Sequence, residues 1–495
     1  MKKITALIII VYVLTMKGAA QTNTDAEKGL QQISVTEMMK DIEFFASPKL
    51  EGRFPGSKGY DKAAGYSAEY FKNIGLTPYS HNSYIQPVPV EYNEFTGAVK
   101  LEKIQQGKAV KQFTHGSDFV CRGFSGTGNI TAPVVFCGYG MTFPELGYDD
   151  YASADVKDKI VLVFKQNPSW ANNIEGINMM LTRYKAGNAA KHGAKAILFV
   201  STPNMANPQK PIGSIMDGTG EQLPDFPQIQ ISLELANELL MASEKNLSSL
   251  QAWIDSLKKP VSIEINDTMH LQVNTKYEKE HFSKNIIAVL PGSDAKLKDE
   301  YLVIGAHLDH VGKQGNIFFP GANDNASGSA AVLQIARTFA TAEIKPKRSI
   351  IFVLFTSEEQ GLNGSRFFTD NPPAPLEKII AMFNLDCIGH GDSIQVGGGS
   401  TVPLLWHAAR RQDSLHTRLM TAKTWPGGGS DAQPFFENGI PTLYFATKNS
   451  YTHLHLTTDT PPTLNTELLE KVTRLVFLTA FEIAGGNYSK ELLVK

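Results

Sequence analysis

Four short apolar runs constrain this chain more than any other feature: Y-L-V-I-G-A at 301–306, S-I-I-F-V-L-F-T at 349–356, I-I-A-M-F-N-L-D at 379–386 and P-T-L-Y-F-A at 441–446. They are short for buried helices, too uniformly apolar for strands with one wet face, and separated by helix-like stretches. Strands of that kind are buried on both faces, so the expected fold class is α/β, a mostly parallel central sheet flanked by helices. Residue types able to do chemistry cluster at the ends of these runs. His307 and Asp309 come after the first, Glu358 and Glu359 after the second, Asp386 closes the third, and His455 lies in the loop after the fourth. Asp324 stands in G-A-N-D-N-A-S-G, beyond a Gly-rich loop and at the start of a helical stretch that runs to Ala340. All these positions fall at carboxyl ends of strands or just beyond, the edge where open α/β sheets form ligand sites.

Taken singly, each residue has an ordinary explanation: a hydrogen-bonded His-x-Asp loop pair, a helix cap, a solvated Glu-Glu pair. Converging on one edge, they form a ligand set for divalent metal, because carboxylates so concentrated repel one another without a cation. Adjacent glutamates at a strand end point in different directions, so one can bind metal while the other faces bound water.

The remaining sequence sets the organisation. A chain of 495 residues exceeds what one core usually holds, so more than one domain is expected. Residues 1–20 (M-K-K, then a short apolar core, then small residues before a cut after Ala20) have the pattern of a secretory signal and are too short to span a bilayer, which implies a periplasmic or secreted protein without stable membrane insertion. No Cys lies near the cut, so no lipid attachment is expected there. The net charge of −2 offers no attraction to nucleic acid. Cys121, Cys137 and Cys387 are an odd number, which excludes a disulfide framework, though Cys121 and Cys137 could pair or stay free. After a flexible lead-in at 22–29, helical spacing begins at Val35 with Thr36 as cap, and a second helix is expected from Asp61 to Asn73. Between them lies the loop L-E-G-R-F-P-G-S-K-G-Y from Leu50. Short strands occupy the chain to 113, then a compact block of alternating strands and helices, and then the strand S-K-N-I-I-A-V-L-P-G-S. Oligomeric state is not legible.

The block resembles the protease-associated (PA) domain through K-I-V-L-V, A-A-x-x-G-A-K-A-I and P-x-I-x-I-S in that order. The whole mature chain resembles the co-catalytic zinc aminopeptidases of metallopeptidase family 28. L-E-G-R-F-P-G-S-K-G, N-I-I-A-V-L-P-G, A-H-L-D, G-A-N-D-N-A-S-G, S-E-E-Q-G-L-N-G-S, N-L-D-C-I-G and H-L-T-T-D-T carry that likeness. The resemblance implies a zinc-peptidase fold of the phosphorylase/hydrolase-like kind, divided as signal peptide 1–20, N-terminal peptidase part 21–114, inserted PA domain 115–270 and zinc peptidase domain 271–495. It further implies two Zn2+ per chain about 3.5–4 Å apart, with a peptide as substrate. His307 and Asp386 would bind one zinc, Glu359 and His455 the other, and Asp324 would bridge them. Asp309 would accept a hydrogen bond from the His307 imidazole, and Glu358 would be the general base for metal-activated water.

The chain also departs from the family. Leu454 replaces the Tyr that commonly precedes the histidine ligand, which leaves Tyr451 and Tyr444 as alternatives for stabilising the tetrahedral intermediate. Ala432 replaces a frequent His after Asp431, and Asp431 is read as structural or substrate-near. His455 is chosen over His453 because it stands four residues before Asp459, as in the family's H-x-x-x-D. Removal of N-terminal residues from peptides is the leading reading. A carboxypeptidase or dipeptidase of the same family, a single-zinc glutaminyl cyclase, and a non-catalytic receptor-like protein are the alternatives.

Overall fold

Two large sheets organise the residues described by a computed structural model, which are 25–494 except 173, 175, 178–180, 217, 219, 342–344 and 450. The signal sequence expected at 1–20 lies outside them. The first sheet contains β1 (Ile85–Phe95), β2 (Thr275–Leu290), β3 (Tyr301–His307), β4 (Ser349–Phe355), β5 (Ile379–Leu385), β6 (Ile394–Gly397) and β7 (Thr442–Thr447), with Thr77–Pro78 at one edge. From that edge the order is β2, β4, β3, β5, β7, β6, and β1 pairs with β2. The four apolar runs are its centre, and they are parallel: Val303 pairs with Ile351 on one side and Met382 on the other, and Phe383 pairs with Leu443. β1, β2 and β6 run antiparallel to their neighbours, so the sheet as a whole is mixed around a parallel centre. The first half of β2, T-K-Y-E-K-E-H-F, is largely exposed and polar, and it pairs only with β1. Such a ribbon leaves no apolar signature in the sequence.

Every residue of β4 and β5 is buried. Alternation then decides which face each side chain serves. Leu302, Ile304, Phe352 and Leu354 pack against α1 (Val35–Phe45), α2 (Lys58–Asn73), α3 (Gly328–Thr341) and α4 (Thr466–Ala484). Val303, Ile351, Val353 and Met382 face the other way, towards Phe368 and Phe435. The sheet is thereby fixed on both sides, and its carboxyl edge is left to loops.

Local chemistry moves several helix starts. Ser34, not Thr36, caps α1, its hydroxyl accepting from the Glu37 N–H at 3.4 Å, and Glu37 sits where the reciprocal partner of a capping box belongs. Ser57 caps α2, which begins three residues before the expected Asp61. Residues 25–32 are helical rather than a loose lead-in.

The second sheet runs in the order Lys108–Gln112, Lys100–Gln105, Ser262–Val273, Gly128–Cys137, Ile160–Phe164, Ala196–Val200, Gln228–Ile231 and Phe119–Cys121. Its strands take in 100–112 and extend to 273, so its hydrogen bonding reaches past both ends of the expected 115–270. The long strand Ser262–Val273 pairs with Lys100–Gln105, a partnership between distant segments that strand patterning alone does not reveal. Helices Thr182–Lys191 and Leu233–Leu240 belong to this unit. Cys121, Cys137 and Cys387 are buried free thiols. No described helix is long and apolar enough to cross a membrane.

Candidate metal centre

β3 ends on His307, and the chain returns to the same edge in the irregular segment Ala322–Ser327, which holds Asp324 ahead of α3 and contains a cis peptide between Asp324 and Asn325. Three non-glycine residues at this edge adopt left-handed backbone: Ser357 just before Glu358 (φ 56°), Cys387 just after Asp386 (φ 55°) and His455 itself (φ 54°). Such conformations cost roughly 1–3 kcal/mol each and persist only where the surroundings hold them. Here two of them adjoin Glu358 and Asp386, and the third is His455, a member of the buried cluster of donors.

Asp324 is its midpoint. One carboxylate oxygen, Oδ1, lies 3.3 Å from His307 Nε2, which is also 3.4 Å from Asp386 Oδ1. The other, Oδ2, lies 3.0 Å from His455 Nε2, which is also 3.1 Å from Glu359 Oε1. Two donor groups result, each with ligand atoms within 4.8 Å of one another: His307, Asp324 and Asp386; and His310, Asp324, Glu359 and His455. Imidazole nitrogens mixed with carboxylates suit zinc. The five sequence-derived ligand candidates are thus brought together, and Glu358, the candidate base, is half-buried next to Glu359.

Neighbouring groups hold the donors. The Asp459 carboxylate accepts the backbone N–H groups of Asn323 (2.9 Å) and Asp324 (3.1 Å), which anchors the Asp324 loop. Tyr444 donates its hydroxyl to Asp386 Oδ2 at 2.9 Å, so it serves this carboxylate, and Tyr451 is the more exposed of the two tyrosines. His453 bonds Thr458 Oγ1 at 2.9 Å and stays out of both donor groups.

Asp309 has a different partner from the one expected. Its nearest carboxylate oxygen is 3.9 Å from His307 Nδ1, too far for a hydrogen bond, and Nδ1 faces the Asp309 backbone carbonyl at 3.2 Å. The carboxylate instead accepts the N–H groups of Glu358 (3.2 Å) and Glu359 (3.3 Å) and so fixes the turn that carries both glutamates.

Two contributors are not apparent from the sequence. His310, immediately after Asp309, is fully buried and lies with its Nδ1 2.9 Å from Glu359 Oε1. The run H-L-D-H offers it, but three polar residues in four give no hint which will turn inward. Arg53, from L-E-G-R, is also fully buried. Its guanidinium donates to the carbonyls of Leu308 (2.8 Å), Phe45 (2.6 Å), Pro320 (2.7 Å) and Gly321 (2.9 Å), tying α1 to the loops on either side of the site. Burial lowers its pKa to about 10 against the opposing pull of Asp324, Asp459, Asp309 and Glu359, so it stays charged. Arg53→Met is expected to cost about 3–5 kcal/mol, since it strands buried acceptors and removes a cation from a crowd of carboxylates. Urea denaturation of the metal-free protein measures this; a loss under about 1 kcal/mol, the size of one ordinary hydrogen bond, would show that the loops hold themselves.

The electrostatics separate the carboxylates. Burial opposes ionisation of Asp324, but hydrogen bonds from His307 and His455 overcome it and hold the group well below the usual range. Glu359 likewise falls to about 2 despite burial, chiefly through His455. Glu358 goes the other way: burial, reinforced by Glu359, Asp386 and Asp431, raises its pKa well above normal against the pull of His307. Burial also lifts Asp309 and Asp431 to about 7. His307 is raised well above its usual value, since Glu358, Asp324 and Asp386 outweigh the cost of burying its charge.

A parallel-centred α/β sheet with such donors at its carboxyl edge is an arrangement able to hold divalent metal. In comparison with known proteins, residues 285–480 match peptidase family M28 and residues 130–239 match the PA domain. The first match takes in β3 to β7 and the donors at their edge, and the second falls between β1 and β2, in the part of the chain that forms the second sheet. Aminopeptidase YwaD of Bacillus subtilis is 27% identical over 344 residues, covering 67% of this chain and 62% of its own length. A glutamate carboxypeptidase 2 homolog of Caenorhabditis elegans is 25% identical over 422 residues, covering 69% of this chain and 51% of its own. The chain therefore spans about half to three-fifths of the length of these curated relatives. In fold it is similar to the Peptidase M28 precursor of Shewanella amazonensis (TM-score 0.69, 20% identity, 96% of this chain and 99% of that one). It is similar too to an aminopeptidase from Aneurinibacillus sp. strain AM-1 (TM-score 0.63, 23% identity, 92% and 95%).

Proposed function

We propose that this protein is an exported di-zinc aminopeptidase that removes N-terminal residues from peptides. The observation that carries this is the division of the Asp324 oxygens, Oδ1 towards His307 and Oδ2 towards His455. His307 and Asp386 would hold one zinc and Glu359 and His455 the other, with Asp324 shared. Bound there, the two ions would supply Lewis-acid activation of the scissile carbonyl and of the attacking water. Glu358 takes the proton that water gives up and passes it to the amine released when the C–N bond breaks. A carboxyl in that place can hold the proton between the two steps. Asp309 keeps it aimed by gripping the Glu358 and Glu359 N–H groups.

The lining favours an amino terminus. Carboxyl groups crowd the centre, while the buried Arg53 guanidinium beside them is committed to four carbonyls and is not available to grip a C-terminal carboxylate. The relatives named aminopeptidases support this reading, and the signal-like start of the sequence supports export. The relative named as a glutamate carboxypeptidase homolog makes carboxypeptidase the competing assignment. A panel of aminoacyl anilides, N-acetylated peptides and C-terminally blocked peptides, with and without chelator, separates the two. Free amino termini should be required, blocked carboxyl termini tolerated, and chelator should abolish turnover. Cleavage that survives N-acetylation would exclude the aminopeptidase.

A further inference from the structure

We infer that the PA domain is part of the metal centre: the backbone carbonyl of Gly213 orients His455 and thereby sets the affinity of one of the two zinc positions. This rests on His455 being a zinc ligand, as proposed above. His455 Nδ1 lies 2.9 Å from the Gly213 carbonyl oxygen, while its Nε2 faces Asp324 and Glu359 at 3.0 and 3.1 Å. A carbonyl has no proton to give, so this contact requires Nδ1 to be the donor. That fixes the tautomer in which the Nε2 lone pair points at the carboxylates, as a ligand nitrogen must. The bridge is double, because the Gly213 N–H donates to the His455 carbonyl at 3.0 Å. It holds His455 in its left-handed backbone from a point 242 residues away in sequence.

The loop bearing Gly213 is wedged in place. A Cβ at this position would come within 2.7 Å of Val311 Cγ2 and 3.0 Å of the Phe319 ring, so only glycine lets the carbonyl approach the imidazole. Val311 and Phe319 also pack against Val120 of the same unit. Beside them the Gln314 side chain accepts from Cys121 N (2.8 Å) and donates to Cys121 O (2.7 Å), so the two units meet through a buried, directional contact. Whatever shifts this face of the PA domain moves the acceptor on which the His455 tautomer depends. Among the described residues no hydrogen bond joins the PA domain to His307 or Asp386, so the position built on them is left unaffected.

The test is zinc affinity of the full chain, by competition with a chelator, in Gly213→Ala. One of two zinc ions should bind roughly 10–100-fold more weakly, the range for losing a ligand's hydrogen-bond partner, with the other unchanged. Gly213→Ala/Val311→Ala, which makes room for the methyl group, should recover most of the loss. Parental affinity in Gly213→Ala overturns the inference. So does weakening of both ions alike, which marks general loosening, or failure of the double variant to recover. His455→Ala serves as the control: if it alters neither affinity, the ligand assignment itself is wrong, whereas a loss there without one in Gly213→Ala removes only the role of the PA domain.

Discussion

Glu358→Ala is expected to reduce kcat by about 10²–10⁴-fold while zinc content stays at the parental level. The two effects separate because Glu358 is outside both donor groups, although it adjoins Glu359 in sequence. Its backbone N–H is held by Asp309, so truncating the side chain leaves the Glu359 turn in place. Burial, with Glu359, Asp386 and Asp431 nearby, raises its pKa well above the usual range, whereas His455 holds Glu359 at about 2, so the two adjacent glutamates sit in different surroundings. Glu358→Gln should behave alike, since an amide keeps the shape and loses the base. Steady-state kinetics with zinc analysis on the same sample decides it; an alanine variant within a few-fold of parental kcat would put the base elsewhere.

The second large effect belongs to Asp324. Each of its oxygens serves a different histidine, so Asp324→Ala should strip a donor from both groups at once and depress both zinc affinities. Activity should fall on the order of 10³-fold or more, since several kcal/mol of charge stabilisation depend on the bound ions. Substituting Asp386, which belongs to one group only, should weaken one ion and spare the other. Equal behaviour of the two variants in chelator competition would mean that Asp324 is not shared.

Much of this site can be read from residue types because the chemistry sits where strands end. β3, β4 and β5 announce themselves as uninterrupted apolar runs, and His307, the two glutamates and Asp386 break those runs at one edge. Contacts made by backbone leave no such trace. Arg53 acts through four carbonyls and Gly213 through one, and any residue supplies a carbonyl, so neither partnership is written in the partners' identities. His310 and Asp309 are ambiguous for another reason: in H-L-D-H, which group meets a backbone N–H and which a carboxylate depends on the turn after β4, which packs alongside only once the sheet has formed. The extent of the second sheet is hidden likewise, since Lys100–Gln112 looks like any polar hairpin until Ser262–Val273 pairs with it.

Crystals grown with zinc, with anomalous scattering measured at the zinc edge, test the shared-carboxylate centre most directly. Two peaks per chain are expected, one against His307, Asp324 and Asp386 and the other against Asp324, Glu359 and His455. A single peak, or two that do not both touch Asp324, would contradict it.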